Sequence, residues 1–168
     1  TDAKPKYLNT SDTLVFRKSD ALFALNFAKN QGGQQLILAE GYMDVISLHQ
    51  AGFTNAVATL GTALTMEQAR LMSRYAKEVV ICYDADEAGQ KATARAIPML
   101  REAGLLVKVL NIVGGKDPDE YIRSYGEQGP ARFKQLLDAC GNDIEYRLAK
   151  IRRNCNMESA DGRVAYLT

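Results

Sequence analysis

Residues 79–89 read VVICYDADEAG, an apolar run that ends in two aspartates and a glycine. The run is continuous and rich in β-branched residues, which is typical of a strand buried on both faces of a parallel sheet. Asp84 and Asp86 follow it, and a helical pattern occupies residues 87–103. Pro98 lies inside that pattern and predicts a kink or a break in the helix. The stretch therefore predicts one strand-to-helix unit.

Similar units lie on both sides of this stretch. Short apolar runs at 36–39, 56–58 and 106–112 predict three further strands. Thr65, with Gln68 three residues later, has the pattern of a capping box at the start of a helix. Three residues are expected on the inner side of that helix: Leu71, Met72 and Tyr75. Strands that alternate with helices in this way favour βαβ units and a parallel sheet.

The two ends of the chain differ from this alternating centre. Residues 1–18 are polar and basic and predict an irregular segment, and a short amphipathic helix is expected within 19–33. Asp117 followed by Pro118 predicts a helix N-terminus, and helical patterning continues to about Arg153. We therefore expect an α/β fold with a mostly parallel sheet flanked by helices, a basic N-terminal segment and a C-terminal helical extension.

The composition is that of a globular protein with balanced charge. Of the 168 residues 46% are hydrophobic, and 21 Lys and Arg oppose 20 Asp and Glu. At ~100–200 residues per domain, the length predicts one domain, or one domain with a small appendage. The charge balance excludes a charged disordered tail, and no apolar run approaches the ~20 residues that a membrane helix needs.

The residue types also exclude several site chemistries. The residues that most often bind zinc number four and are widely spaced: His49, Cys82, Cys140 and Cys155. This spacing favours neither a zinc site nor a disulfide framework, and it predicts a reduced, cytoplasmic setting. The glycine-rich phosphate-binding and dinucleotide-binding patterns are both missing. The first residues, TDAKPKYLNT, contain no initiator Met and no signal peptide, so we expect a piece of a longer protein.

Acidic residues follow three of the predicted strands. The candidates are Glu40, Asp84, Asp86, Asp117 and Asp119. In a parallel sheet the ligand crevice lies beyond the carboxyl ends of the strands, so these acids are expected at one edge. Each alone has an ordinary explanation, such as a helix cap or a surface charge. Together they would repel one another unless cations intervene, and grouped carboxylates suit Mg²⁺ and phosphoryl or nucleotidyl transfer.

Two unrelated site types share part of this pattern. A phosphatase of the haloacid dehalogenase type also places D-x-D after a strand, but its second Asp is normally followed by x-[TV], whereas Glu87-Ala88 stands here. A receiver-type signalling domain also gathers acids at parallel strand ends. Its acid pair normally follows the first strand, where this chain has only Glu40.

Several motifs resemble one family over nearly the whole chain. In the acidic regions these are E-G-Y-M-D at 40–44, D-x-D-x-A-G at 84–89 and D-P-D-E-Y-I at 117–122. Elsewhere they are P-K-Y-L-N-T at 5–10, F-R-K-S at 16–19, V-A-T-L-G-T at 57–62 and S-A-D-G-R at 159–163. The sequence resembles the Toprim region of bacterial DNA primases. The resemblance implies a central fragment of the RNA polymerase core, with residues 1–33 as an N-terminal segment, 34–126 as the Toprim domain and 127–168 as the start of a helical subdomain.

The resemblance implies a nucleotidyltransferase that makes short RNA primers on single-stranded DNA from NTPs. The implied cofactor is Mg²⁺, with Mn²⁺ as a substitute, and zinc would belong to a domain outside this chain. The implied partners are the template, NTPs, the RNA–DNA hybrid product and, through another domain outside this chain, the replicative helicase. A monomer without membrane contact, in the cytoplasm and associated with the nucleoid, is expected. Another Toprim enzyme, a nuclease or topoisomerase, and the receiver-like domain remain the alternatives.

The resemblance also implies roles for individual residues. Glu40 matches a glutamate that acts as general acid or base and also binds metal. The remaining metal ligands it implies are Asp84, Asp86, Asp117 and Asp119, and Asp44 matches a further acid that lines the site. Basic residues that engage nucleotide phosphates are matched by Lys6 and Lys18, and three neighbours of that surface by Tyr7, Asn9 and Tyr42. Without the resemblance, both lysines would be taken as solvated charges.

Overall fold

The computed structural model describes residues 11–31, 33–112 and 115–154. Its centre is a four-stranded parallel sheet in the order β2-β1-β3-β4. The strands are β1 (Gln35–Ala39), β2 (Ala56–Ala58), β3 (Glu78–Cys82) and β4 (Leu106–Val109). Ala39 pairs with both Ala58 and Cys82, so the carboxyl ends of β2, β1 and β3 are level. This common edge is where the site residues lie.

Helices cover both faces of the sheet because alternate strand residues point to opposite faces. They are α1 (Leu25–Ala28), α2 (Tyr42–Gln50), α3 (Met66–Ser73), α4 (Glu87–Glu102), α5 (Pro118–Ser124), α6 (Gly129–Ala139) and α7 (Asp143–Asn154). On one face Leu38 and Ile81 pack with residues of α3 and α4. On the other face Ile37 and Val80 pack with residues of α2, α5 and α6. The predicted parallel sheet with flanking helices is confirmed.

The helix predicted from Ser19 or Asp20 onward is wrong in extent. A 3-10 helix at Lys18–Asp20 is followed by an isolated antiparallel bridge between Phe23 and Ala58, and only Leu25–Ala28 is α-helical. The bridge uses both main-chain groups of Phe23, which a continuous helix would need for its own hydrogen bonds. Packing against the edge strand therefore overrides the local helical pattern.

Three other local predictions need correction. Tyr75 lies beyond the end of α3 and is 41% exposed, whereas Gln68 takes the inner side of that helix. β4 ends at Val109 rather than at residue 112, because its neighbour β3 ends at Cys82. The break predicted at Pro98 is wrong, since α4 runs unbroken from Glu87 to Glu102, whereas the alternative of a kink stays a prediction. Pro98 and the residue one turn before it, Ala94, are both exposed, so the hydrogen bond that proline cannot make is missing on the solvent side of α4.

The C-terminal part is helical, as predicted, but it is divided into three helices. α5 ends at Ser124, a 3-10 turn occupies Gly126–Gln128, and α6 and α7 follow. Val109 donates its N–H to the carbonyl of Gly141 at 3.2 Å, which ties the start of α7 to β4. Over the described residues, no helix has the length and apolarity to cross a bilayer. The basic segment at 1–10 lies outside the described residues, and the predicted domain limits stay a prediction.

Candidate active site

The acids after β1 and β3 meet because those strands are neighbours in register. Glu40 follows the last residue of β1, and Asp84 lies two residues beyond the end of β3. The backbone N–H of Asp84 donates to a carboxylate oxygen of Glu40 at 3.3 Å. Asp86 caps α4, where its carboxylate accepts from the N–H of Gly89 at 2.9 Å. The strand pairing thus places Glu40 beside the D-x-D sequence.

Two further acids reach this edge from the opposite side of the sheet. Asp44 lies in the first turn of α2, and its carboxylate accepts from the N–H of Gly41 at 3.1 Å. Asp117 is the N-cap of α5 and accepts from the N–H of Glu120 at 2.8 Å. The capping role predicted for Asp117 is therefore confirmed. That local role does not remove its charge from the edge.

The carboxylates at the edge repel one another. The pKa of Asp44 is raised to about 6, mainly by burial and to a smaller extent by the charges of Asp117, Asp84 and Glu40, against the lowering effect of the hydrogen bond from Gly41. Burial also raises the pKa of Asp84 to about 6, again with Glu40 and Asp117 as contributors. Lys116 opposes the shift in the Asp84 pKa, but its effect is the smallest of those acting on that group. The edge therefore holds more negative charge than its neighbouring cations neutralise.

Asp119 contacts residues other than the acids at this edge. Its Oδ1 accepts from the hydroxyl of Ser47 at 2.6 Å and lies 2.9 Å from Nε of Arg123. These contacts join α5 to α2, next to the acidic edge. Of the five acids predicted to bind metal, Asp119 is the one already neutralised by a cation in the described structure.

The residues predicted to bind nucleotide are only partly described. Lys6, Tyr7 and Asn9 lie outside the described residues. Lys18 is half-buried in the 3-10 helix, and its carbonyl accepts from the side-chain amide of Gln68 at 2.9 Å. The ring of Tyr42, at the start of α2, lies 5.0 Å from the ring of Phe23. The hydrogen bond from Gln68 holds the segment that carries Lys18 against α3.

Comparison with known sequences identifies the family. The sequence model of the Toprim-like family matches residues 37–122, just over half of the chain and the part that carries every acid described above. The chain belongs to the Toprim-like family. The resemblance to bacterial DNA primases is also confirmed, because the chain is 48% identical over 167 residues to a DNA primase of Clostridium acetobutylicum. The match covers 99% of this chain and 28% of that relative, so the chain spans less than a third of its length.

Solved structures agree with this assignment. The Aquifex aeolicus primase, with its zinc-binding and RNA polymerase domains, is 39% identical with a TM-score of 0.82, covering 99% of this chain and 41% of that one. A DnaG primase catalytic domain bound to single-stranded DNA is 29% identical with a TM-score of 0.79, covering 99% of this chain and 54% of that one. These matches do not favour a nuclease, a topoisomerase or a receiver domain.

The acids of this Toprim-like chain fit Mg²⁺ chemically but do not form a closed cage. Within the described ranges, no three His, Cys, Asp or Glu side chains are grouped so as to hold one ion. Mg²⁺ is usually bound through one or two carboxylates, with waters and substrate phosphates completing its shell. Burial and the neighbouring carboxylates raise the pKa of both Asp44 and Asp84, and a divalent cation bound at this edge would offset both effects.

Two residues of the site were not predicted from the sequence. Ser47 binds Asp119, and nothing in the sequence links these residues because 72 positions separate them. Lys116 contributes to the electrostatics of Asp84, and its carbonyl accepts from the N–H of Ala85 at 3.1 Å. For Lys116 a signal existed, since it directly precedes the Asp117-Pro118 cap.

Proposed function

We propose that the protein carrying this chain is a DNA primase that makes short RNA primers on single-stranded DNA by divalent-metal-dependent nucleotidyl transfer. The observation that carries the proposal is the group of mutually repelling carboxylates at the strand ends, in a chain similar to DNA primases over 99% of its length. Mg²⁺ bound there, or Mn²⁺ in its place, would supply positive charge to the triphosphate and lower the pKa of an attacking hydroxyl.

The position of each residue suggests its role in the reaction. Asp84, Asp86 and Asp117 would hold metal, and Asp119 would join them by exchanging its contact with Arg123. Asp44 adds negative charge close to the same edge. The exposed carboxylate of Glu40 takes the proton of the attacking 3′-hydroxyl, and the N–H of Asp84 orients one of its oxygens. Lys18, together with Lys6, would meet the phosphates, while Tyr7, Asn9 and Tyr42 would border the nucleotide.

The partners follow from the same reaction. NTPs are the substrates, single-stranded DNA is the template and an RNA–DNA hybrid is the product. A replicative helicase would be engaged through a part of the protein outside this chain. The same role places the protein in the bacterial cytoplasm near the nucleoid, and this fragment is expected to be monomeric.

The test is substitution of Asp84 by Asn in the full-length protein that carries this chain. Primer synthesis from NTPs on single-stranded DNA is expected to fall by about a hundredfold to a thousandfold, because Asn lacks the negative charge that would hold the metal ion at the reacting phosphate. Asp138→Asn is the matched control, since Asp138 is an exposed acid of α6 paired with Lys134. Normal synthesis by the Asp84 variant, or none by the unaltered protein, would refute the proposal.

A further inference from the structure

A cavity of about 530 Å³ adjoins Glu40 on the sheet face covered by α3 and α4. Its walls are the loop 59–64 after β2, the ring of Tyr83 and one face of α4. Most of the lining is apolar: Leu64, Tyr83, Ala92, Ala96 and Met99. Pockets of ~300–1,000 Å³ with a largely apolar lining are typical of small-molecule sites. Of the described residues given metal, catalytic or nucleotide roles above, Glu40 alone borders this volume.

The loop that forms one wall is held in place. Thr59 is buried, and its hydroxyl donates to the carbonyl of Thr62 at 2.7 Å. Between them Gly61 has a φ of 73°, a backbone conformation that favours glycine. Leu64, at the end of the loop, is buried in the core. The wall is therefore formed before any ligand binds, which reduces the entropy lost on binding.

Among the described residues, one cation at the rim of the cavity has no ion-pair partner. Lys91 pairs with Glu87 at 2.6 Å, whereas Arg95, one turn further along α4, is exposed and makes no ion pair or hydrogen bond with any described residue. Glu40 borders the same cavity from the side of the strand ends. The hydroxyl of Tyr83 also has no hydrogen-bond partner among the residues that the structure describes. An apolar floor with a free guanidinium at its rim is complementary to an organic group that carries a phosphate.

We propose that this cavity binds one nucleoside phosphate unit, with its base or sugar on the apolar floor and its phosphate against Arg95. The inference rests on the proposed function, because Glu40, which borders the cavity, has its role there in nucleotidyl transfer. The unit belongs either to the nucleic-acid strand or to an incoming NTP. Both present the same chemistry to the cavity, and the two are separated by experiment.

The experiment uses the full-length protein with two variants of the cavity and one control. Arg95→Gln removes the rim charge, and Ala63→Leu adds bulk to the exposed wall. Arg70→Gln makes the same charge change on the exposed side of α3, outside the cavity lining. The readouts are the Kd for fluorescent single-stranded DNA at several salt concentrations and the KM for NTP in primer synthesis.

If the unit belongs to the strand, Arg95→Gln is expected to raise the DNA Kd about tenfold and to reduce the salt slope by about one. If it belongs to the NTP, the KM rises about tenfold while the DNA Kd stays unchanged. In either case Arg95→Lys restores part of the loss, Ala63→Leu weakens the same readout, and Arg70→Gln changes each value less than twofold.

The inference is overturned if Arg95→Gln and Ala63→Leu, both folded by circular dichroism, bind DNA and use NTP like the unaltered protein. In that case the cavity would be filled by another part of the same protein rather than by a nucleotide. Failure of the proposed function has a different signature, namely full primer synthesis by the Asp84→Asn variant. The two failures are therefore distinguishable in one set of assays.

Discussion

At the scale of single residues, the site is marked by carboxyl groups that have a higher pKa in the folded protein than in an unfolded chain. The pKa of Asp84 rises from 3.8 to about 6 on folding. A raised pKa of this kind favours the folded state below pH ~4, and the benefit is lost as the pH rises through about 6. In metal-free protein, Asp84→Asn is therefore expected to increase stability at pH 8 by about 1 kcal/mol, after allowance for solvent exposure. Chemical denaturation in EDTA measures this difference.

The control for this prediction is the same comparison of stability at several pH values. The difference between variant and unaltered protein should shrink between pH 8 and pH 4.5. Added Mg²⁺ should reverse it by stabilising the unaltered protein more than the variant. A difference that is constant with pH would show that Asp84 does not titrate as its surroundings require.

Gly89 is the second decisive residue at this scale. A Cβ at this position would overlap with the carbonyl oxygen of Asp84, which is main chain and cannot turn aside. Gly89→Ala is therefore expected to lose about 1–3 kcal/mol of stability and to displace Asp84, despite the better helix propensity of Ala. In Gly41→Ala the nearest atom is the flexible carboxylate of Asp44 at 3.1 Å, so a smaller loss is expected. The measurement is thermal unfolding of both variants. Equal losses of stability in the two would contradict this explanation.

At the scale of elements, Gln68 fastens the N-terminal segment to α3. Its side chain is fully buried and donates to the carbonyls of Lys18 and Ala21, while accepting from the N–H of Thr65. Gln68→Ala removes all three hydrogen bonds and is expected to lower stability by about 3 kcal/mol. Hydrogen exchange at residues 18–21 should rise with it.

The matched control for Gln68 is Gln50→Ala at the exposed end of α2, which should change stability by no more than about 0.5 kcal/mol. Faster exchange spread over the whole chain, rather than concentrated at residues 18–21, would contradict the fastening role. The capping box itself was predictable, but the two bonds across to Lys18 and Ala21 were not.

At the scale of the whole molecule, an ion pair between Arg101 and Asp143 joins α4 to α7. Asp143 is 3% exposed, and its Oδ1 lies 2.6 Å from a guanidinium nitrogen of Arg101. Arg101→Gln removes that cation from a buried carboxylate and is expected to lower stability by about 3 kcal/mol, with α7 losing protection first. Lys134→Gln breaks an exposed pair with Asp138 and should lose less than about 1 kcal/mol. Equal effects on urea unfolding would show that burial of the pair is unimportant.

Much of this architecture was readable without coordinates, since strands, helix caps and the acids after the strands depend on neighbours within a few positions. The apolar run before Asp84 predicts its strand correctly, and Asp117-Pro118 starts a helix as expected. The prediction of a continuous helix after Asp20 is wrong because the structure there depends on a residue distant in sequence. Phe23 pairs with Ala58 of β2 instead of continuing a helix. The inward position predicted for Tyr75 is wrong because α3 ends at Ser73, two residues before the apolar pattern does.

Local chemistry alone therefore specifies the parallel α/β pattern and the collection of acids at one sheet edge. The strand order, the contact of Asp84 with Glu40 across 44 positions and that of Ser47 with Asp119 across 72 require the folded chain. The cavity beside Glu40 is of the same kind, since loop, strand and helix each supply a wall. The physical reason is that periodicity and caps are short-range, whereas pairing and packing select partners by fit among residues distant along the chain.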